Sequence, residues 1–200
     1  MVNFIVHPGF AKTGTTFFQK IILSKTNKTL NIGKPYNQNL NIKKILYNKN
    51  LDKKKVLKFS KDLVNLIKKN KIKNIVLSDE SILDYEFYDP TKNIKFLRSL
   101  INETKKKIKI NLTFLLTIRK QENLLISRYA YLYPKFKKDY PQFINYINIK
   151  EKRKNQFFDI LNFYKTGKKI KTLFKCKIIF LPLEYLEFEP NKYIKIINKL

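Results

Sequence analysis

The stretch Asn3-Phe4-Ile5-Val6-His7-Pro8-Gly9-Phe10-Ala11-Lys12-Thr13-Gly14-Thr15-Thr16-Phe17-Phe18 decides how this chain is read. Asn3 to Val6 is an apolar run of strand length, and Phe17, Phe18, Ile21 and Ile22 recur with the spacing of one helical face. Between them stand two glycines, a lysine and several hydroxyl side chains. A glycine-bearing turn from strand into helix lets backbone N–H groups and a positive charge converge on an anion at the helix N-terminus, and phosphate suits such a cradle. The plain alternative is a tight turn that needs glycine for backbone reasons alone.

The Gly9-to-Gly14 spacing is that of a Walker A loop, but Thr15 and Thr16 stand where that motif carries Lys and then Ser or Thr. The lysine lies earlier, at Lys12. Lys-Thr-Gly-Thr-Thr after a first strand resembles the 5'-phosphosulfate loop of the sulfotransferase family, most closely the bacterial type with His and Gly upstream and Gln19 downstream. A second segment carries the same resemblance. Leu112 to Ile118 is apolar and ends in Arg119, and Gln121 to Tyr133 reads as a helix bearing Ser127. The family's other signature is an arginine at a strand end with a serine eight positions later. The likeness spans roughly Asn3 to Pro190, with its specificity in these two motifs.

The resemblance implies 3'-phosphoadenosine 5'-phosphosulfate as donor, adenosine 3',5'-bisphosphate as product, and no metal. It implies Lys12 at the bridging region of the phosphosulfate, and Thr13, Gly14, Thr15 and Thr16 around the 5'-phosphate. Arg119 and Ser127 fall to the 3'-phosphate, where a planar guanidinium fork and a hydroxyl suit the geometry. The competing reading of that pair is an Arg119–Glu122 surface contact with Ser127 a solvated helix residue.

A third run, Asn74-Ile75-Val76-Leu77-Ser78-Asp79-Glu80-Ser81, is a strand ending in a polar cluster. Relatives of the bacterial type carry Ser-x-Glu here, which makes Glu80 the candidate base for the acceptor's proton, a role worth ~10²–10⁴ in rate. Equally, Glu80 or Asp79 caps the turn that follows. His7 is the chain's one histidine and sits at a strand end. Structure or cofactor positioning is favoured for it over general base, so the catalytic set reads Lys12 and Glu80, with His7 next in line.

At 200 residues the chain is expected to form a single sulfotransferase-like domain, 1–200. It stops at Leu200 inside a helix beginning near Asn191, where many sulfotransferases continue, so it is either minimal or C-terminally truncated. Its 44% hydrophobic content speaks against disorder. With no apolar run near the roughly 20 residues of a membrane span and no basic leader, a cytoplasmic protein is expected. One cysteine, Cys176, and one histidine cannot assemble a metal set, and Cys176 reads as core filler.

A formal charge of +28 invites a nucleic-acid reading. The lysines, however, occupy nearly every polar position alongside abundant Asn and Ile, the pattern of a genome poor in G and C. Runs such as Asp52-Lys53-Lys54-Lys55 and Lys105-Lys106-Lys107 are then solvated helix faces or turns. No specific nucleic acid is expected as a partner, only weak steering toward anionic cofactors and acidic glycans or lipids.

The order of segments gives an α/β protein, a three-layer P-loop-like fold with a mostly parallel central sheet. A polar connection covers Thr26 to Asn50. Lys54 to Lys69 is an amphipathic helix with Val56, Leu57, Leu63, Val64 and Ile67 inward, followed by the Ile75 strand, a Tyr85–Pro90 loop and a helix over Ile94–Lys107. Pro134 closes the Ser127 helix. Lys135 to Tyr146 either contacts the acceptor, through aromatics on sugar rings and lysines on anions, or simply packs as a lid or edge. A helix over Glu151–Tyr164, a turn at Gly167 and a strand over Lys177–Leu181 follow. Pro182 to Leu186 resembles a recurrent family segment in which Glu184 is structural. The expected activity is sulfuryl transfer to a hydroxyl or amine, on a carbohydrate or glycolipid. The alternatives are a P-loop nucleotide kinase, which lacks its Walker lysine and a clear magnesium aspartate here, a basic nucleic-acid-binding module, and a scaffold that binds the cofactor without catalysis.

Overall fold

Apolar runs become strands in this chain because helices cover both of their faces. The computed structural model describes residues 1–10, 12–19, 29–34, 40, 42, 52–83, 90–139, 141–152 and 162–198. Its strands are β1 (Val2–His7), β2 (Thr29–Asn31), β3 (Asn74–Ser78), β4 (Ile110–Ile118) and β5 (Lys177–Pro182). They form one five-stranded sheet in the order β2-β3-β1-β4-β5, every pairing parallel. The helices are α1 (Thr15–Phe17), α2 (Lys53–Lys69), α3 (Pro90–Lys105), α4 (Gln121–Phe136), α5 (Phe143–Lys152), α6 (Phe163–Phe174), α7 (Glu184–Phe188) and α8 (Pro190–Asn198), with a 3-10 turn at Glu80–Ile82. The architecture is the expected three-layer α/β arrangement.

Alternation along each strand sorts the layers. Phe4 and Val6 of β1, Ile75 and Leu77 of β3, and Leu112, Phe114 and Leu116 of β4 share one core with α2, α3 and α6. Ile5, Val76, Leu115 and Leu181 face the other way and pack with Phe18 and with Tyr193 of α8. Each fully buried large apolar side chain contributes about 1.5–3 kcal/mol. Asp52 caps α2 by accepting from the Lys54 and Lys55 amides, so that lysine run is an exposed first helical turn. No helix among the described residues is long and apolar enough to cross a membrane.

Four local expectations change. Within the polar connection, Thr29–Asn31 pairs with β3 as an edge strand. Leu57, read as inward, is exposed on α2. Pro134 lies inside α4 rather than ending it: so near the helix end the missing amide removes one hydrogen bond, while buried Leu132 anchors the turn. Gly167 is a buried helical residue of α6, because a Cβ there would fall 2.5 Å from the Phe180 ring of β5. The Tyr85–Pro90 loop up to residue 89, Ile21 and Ile22, and most of the Glu151–Tyr164 segment lie outside the described residues.

The order of strands has a functional consequence. From β1 the chain moves outward to β2, whereas from β4 it moves to β5 on the opposite side. The carboxyl ends of β1 and β4 therefore flank the switch point, the crevice where open α/β sheets take ligands. The loop after β1 and Arg119 after β4 both lie at that edge.

Candidate functional site

Among the described residues of the loop from Pro8 to Gly14, three are left-handed: Gly9 (φ 43°), Lys12 (φ 70°) and Gly14 (φ 80°). Glycine meets this at two of them without strain. Lys12 does not, and a non-glycine residue held there is characteristic of functional loops. Side chains also confine the loop, since a Cβ on Gly9 would fall 2.1 Å from the Thr15 methyl and one on Gly14 2.5 Å from Leu183.

A buried chain of hydrogen bonds holds the loop to the sheet. His7 at the end of β1 reaches Ser78 of β3 through Nδ1 (2.7 Å) and Thr117 of β4 through Nε2 (3.2 Å). Thr117 meets the Thr13 hydroxyl at 2.9 Å, and Thr13 donates to the Phe10 carbonyl at 2.6 Å. Gln19 Nε2 donates to the Ser78 hydroxyl at 3.1 Å. Each hydroxyl carries one proton, so the directions follow. Thr13 spends its proton on Phe10 and accepts from Thr117, which then accepts from His7 Nε2–H. Ser78 accepts from Gln19 and donates to His7 Nδ1. Thr117 thus places a proton on Nε2, and Ser78 donates to Nδ1 only while the ring is neutral. Burial agrees: desolvation pushes the His7 pKa down to about 3, against a smaller upward pull from the Glu80 charge.

Glu80 opens the 3-10 turn beside this loop. One carboxylate oxygen accepts from the Thr15 hydroxyl and the other from Lys34 Nζ at 2.8 Å, with Asp79 Oδ1 at 3.7 Å from the same ammonium. Burial pushes the Glu80 carboxyl up. The hydrogen bonds from Lys34 and Thr15 and the Lys34 charge outweigh it and hold the pKa below the ordinary value. Asp79, not Glu80, makes the cap, accepting from the Ser81 amide and hydroxyl. Lys34 arrives by a tight approach in which its amide donates to the Ser78 carbonyl at 2.8 Å. A Cβ on Gly33 would lie 2.3 Å from that carbonyl oxygen.

On the other side, Arg119 Nη1 donates to the Lys12 carbonyl at 3.3 Å, and the Lys12 ammonium sits 4.1 Å over the Tyr131 ring of α4. Arg119 also lines a cavity of about 220 Å³ with Lys120, Asn123, Leu183, Glu184, Glu187 and Phe188. Glu184 accepts from the Lys120 amide at 2.7 Å and so ties α7 to the start of α4.

The geometry thus gathers Lys12, Thr13, Gly14, Thr15, Glu80, His7 and Arg119 at one edge of the sheet. Thr13 and Thr15 turn their hydroxyls inward to Phe10 and Glu80, leaving Thr16 as the exposed threonine of the three. Ser127 is half-buried on α4, and among the described residues no hydrogen bond joins it to Arg119. Sequence reasoning missed Thr117, Lys34 and Tyr131 as members of the site, and gave Ser78 no role beyond its place in the Ser-x-Glu. Lys34 is one cation among 43 Lys and Arg, and only its place after Gly33 sets it apart. Compared with models of known protein families and with curated proteins, the chain matches none.

Proposed function

We propose that this chain is a sulfotransferase, moving a sulfuryl group from 3'-phosphoadenosine 5'-phosphosulfate to a hydroxyl or amine of a carbohydrate or glycolipid. One observation carries the reading: Arg119 reaches the backbone of Lys12 across 107 residues of sequence, so the two motifs meet at the switch point. The residues fit an anionic donor. Lys12 and Arg119 supply cations, and among the described residues no side chain caps the first turn after Gly14, leaving its amides for the 5'-phosphate.

The donor, when bound, supplies an electrophilic sulfur and a phosphate leaving group. Lys12 and the loop amides stabilise charge growing on the departing phosphate oxygen as the acceptor's S–O or S–N bond forms. Glu80, kept ionised, takes the acceptor's proton on an oxygen that now holds Thr15 or Lys34. His7 is neutral and committed on both nitrogens, so its part is to fix the loop through Thr117 and Thr13. Arg119 presents its remaining N–H groups to the 3'-phosphate, with Ser127 on the neighbouring helix. The proposal keeps the cytoplasmic location expected from the sequence.

Thermal melts test it. Adenosine 3',5'-bisphosphate at ~100 times its dissociation constant should stabilise the fold by about 2.7 kcal/mol, undiminished by EDTA, and Arg119→Ala should lose most of that gain. Stabilisation by ATP with magnesium alone would instead favour a nucleotide kinase. A response to duplex DNA alone, vanishing as salt rises, would favour a nucleic-acid module.

A further inference from the structure

The outer face of the α4–α5 hairpin exposes more large apolar side chains than a buried-core account explains. Leu124, Arg128 and Leu132 form the inward stripe of α4. Ile126, Tyr129 and Tyr133 follow a different face at helical spacing, and Tyr129 packs its ring 5.4 Å from Phe143 at the start of α5. Ile126 is 54% exposed, Tyr133 39%, Phe143 37% and Ile144 56%. Exposed lysines Lys137 and Lys138 follow directly, with Asp139 the acid beside them.

We propose that this face docks on an anionic lipid bilayer, with Ile126, Tyr133, Phe143 and Ile144 entering the headgroup boundary and Lys137 and Lys138 meeting lipid phosphates. A contiguous exposed apolar patch marks an interaction surface, and aliphatic tips with aromatics and flanking lysines match the layered polarity of a membrane interface. A second copy of the chain is a poor occupant, because two molecules at +28 repel. Nucleic acid would use the lysines and rings but gain nothing from Ile126 and Ile144. The inference stands on the surface alone and not on the reaction proposed above.

The chain contains no tryptophan, so a single introduced indole makes a clean reporter. With vesicles of mixed phosphatidylcholine and phosphatidylglycerol, Ile144→Trp should shift its emission to the blue. Leu173→Trp, exposed near the end of α6 where the chain turns toward β5, should not. In high salt, where charge attraction is screened, Ile126→Asn/Ile144→Asn should cosediment with the same vesicles at least about 10-fold more weakly than the unmodified chain. Equal shifts in both reporter variants, or no shift in Ile144→Trp, would overturn the proposal. So would vesicle binding that disappears in high salt and ignores the double substitution, or a blue shift of Ile144→Trp given by RNA and not by vesicles.

Discussion

Replacing Thr117 with valine nearly keeps the side chain's shape and removes one hydroxyl from the centre of the chain of bonds under the loop. Two partners are affected. Thr13 loses a donor but keeps its own bond to Phe10, whereas His7 Nε2–H loses its acceptor. His7 is 0% exposed, so water cannot step in. An orphaned buried donor costs about 1–3 kcal/mol. At about 2–4 °C per kcal/mol for a chain of this size, the melting midpoint should fall by roughly 2–12 °C. The ring has one escape, moving its proton to Nδ1. Ser78 would then accept from His7, and its own proton would need an acceptor that Gln19 offers only by turning its amide over. Because His7 is the one histidine, isotope-labelled ring nitrogens report its tautomer without overlap. The expected spectrum is a neutral ring protonated at Nε2 in the unmodified chain, with Thr117→Val either losing stability in that tautomer or losing less with the proton on Nδ1. An unchanged midpoint with unchanged ring resonances would refute the reasoning, as would an Nδ1–H ring before substitution.

The same ring sets a pH dependence. Its folded pKa, about 3, lies below the ordinary 6.5, so its contribution to stability is complete above about pH 6.5. Below that it is lost at about 1.4 kcal/mol per pH unit down to about 3, and His7→Gln should remove this slope in urea titrations. Gly33→Ala should destabilise by about 3 kcal/mol or more, since the Cβ meets backbone atoms of Ser78 that cannot give way, and near-normal unfolding would contradict the close approach. Glu80→Gln should cut turnover about 10²-fold with bisphosphate affinity unchanged, and a fully active variant would move the base elsewhere. Lys34→Met should raise the Glu80 carboxyl from its lowered pKa, read by carbon NMR titration; no upward movement would mean that Lys34 is not what holds it ionised.

The strands that carry the site were legible because a parallel sheet buries both faces: Phe4 to Val6, Ile75 to Leu77 and Phe114 to Leu116 read as unbroken apolar runs. β2 was not, since Thr29-Leu30-Asn31 is too short to show a period, and its pairing with β3 decides it. The loop and Arg119 were visible as local motifs. What joined them was not, because Ser78 and Thr117 look like ordinary strand-end hydroxyls until the register sets Ser78 beside His7 and Thr117 beside Leu181. Gly167 and Pro134 misled for a related reason. Each carries a strong local turn signal, overridden by the approach of Phe180 and by the anchoring of Leu132.

The strand order also bears on how this chain behaves at high concentration. Its stickiest segments, β1, β3 and β4, sit in the middle of the sheet with both edges paired, so the backbone most able to template fibrils is occupied. Among the described residues, the two outer borders fall to the strands least suited to recruit a neighbour. β2 offers only three residues, while β5 begins at Lys177 and ends at Pro182, whose ring removes a donor from the border. Strong net positive charge then keeps neighbours apart at low salt. High salt removes that repulsion, and the short β2 and the proline at the end of β5 are what remain to discourage edge-to-edge growth.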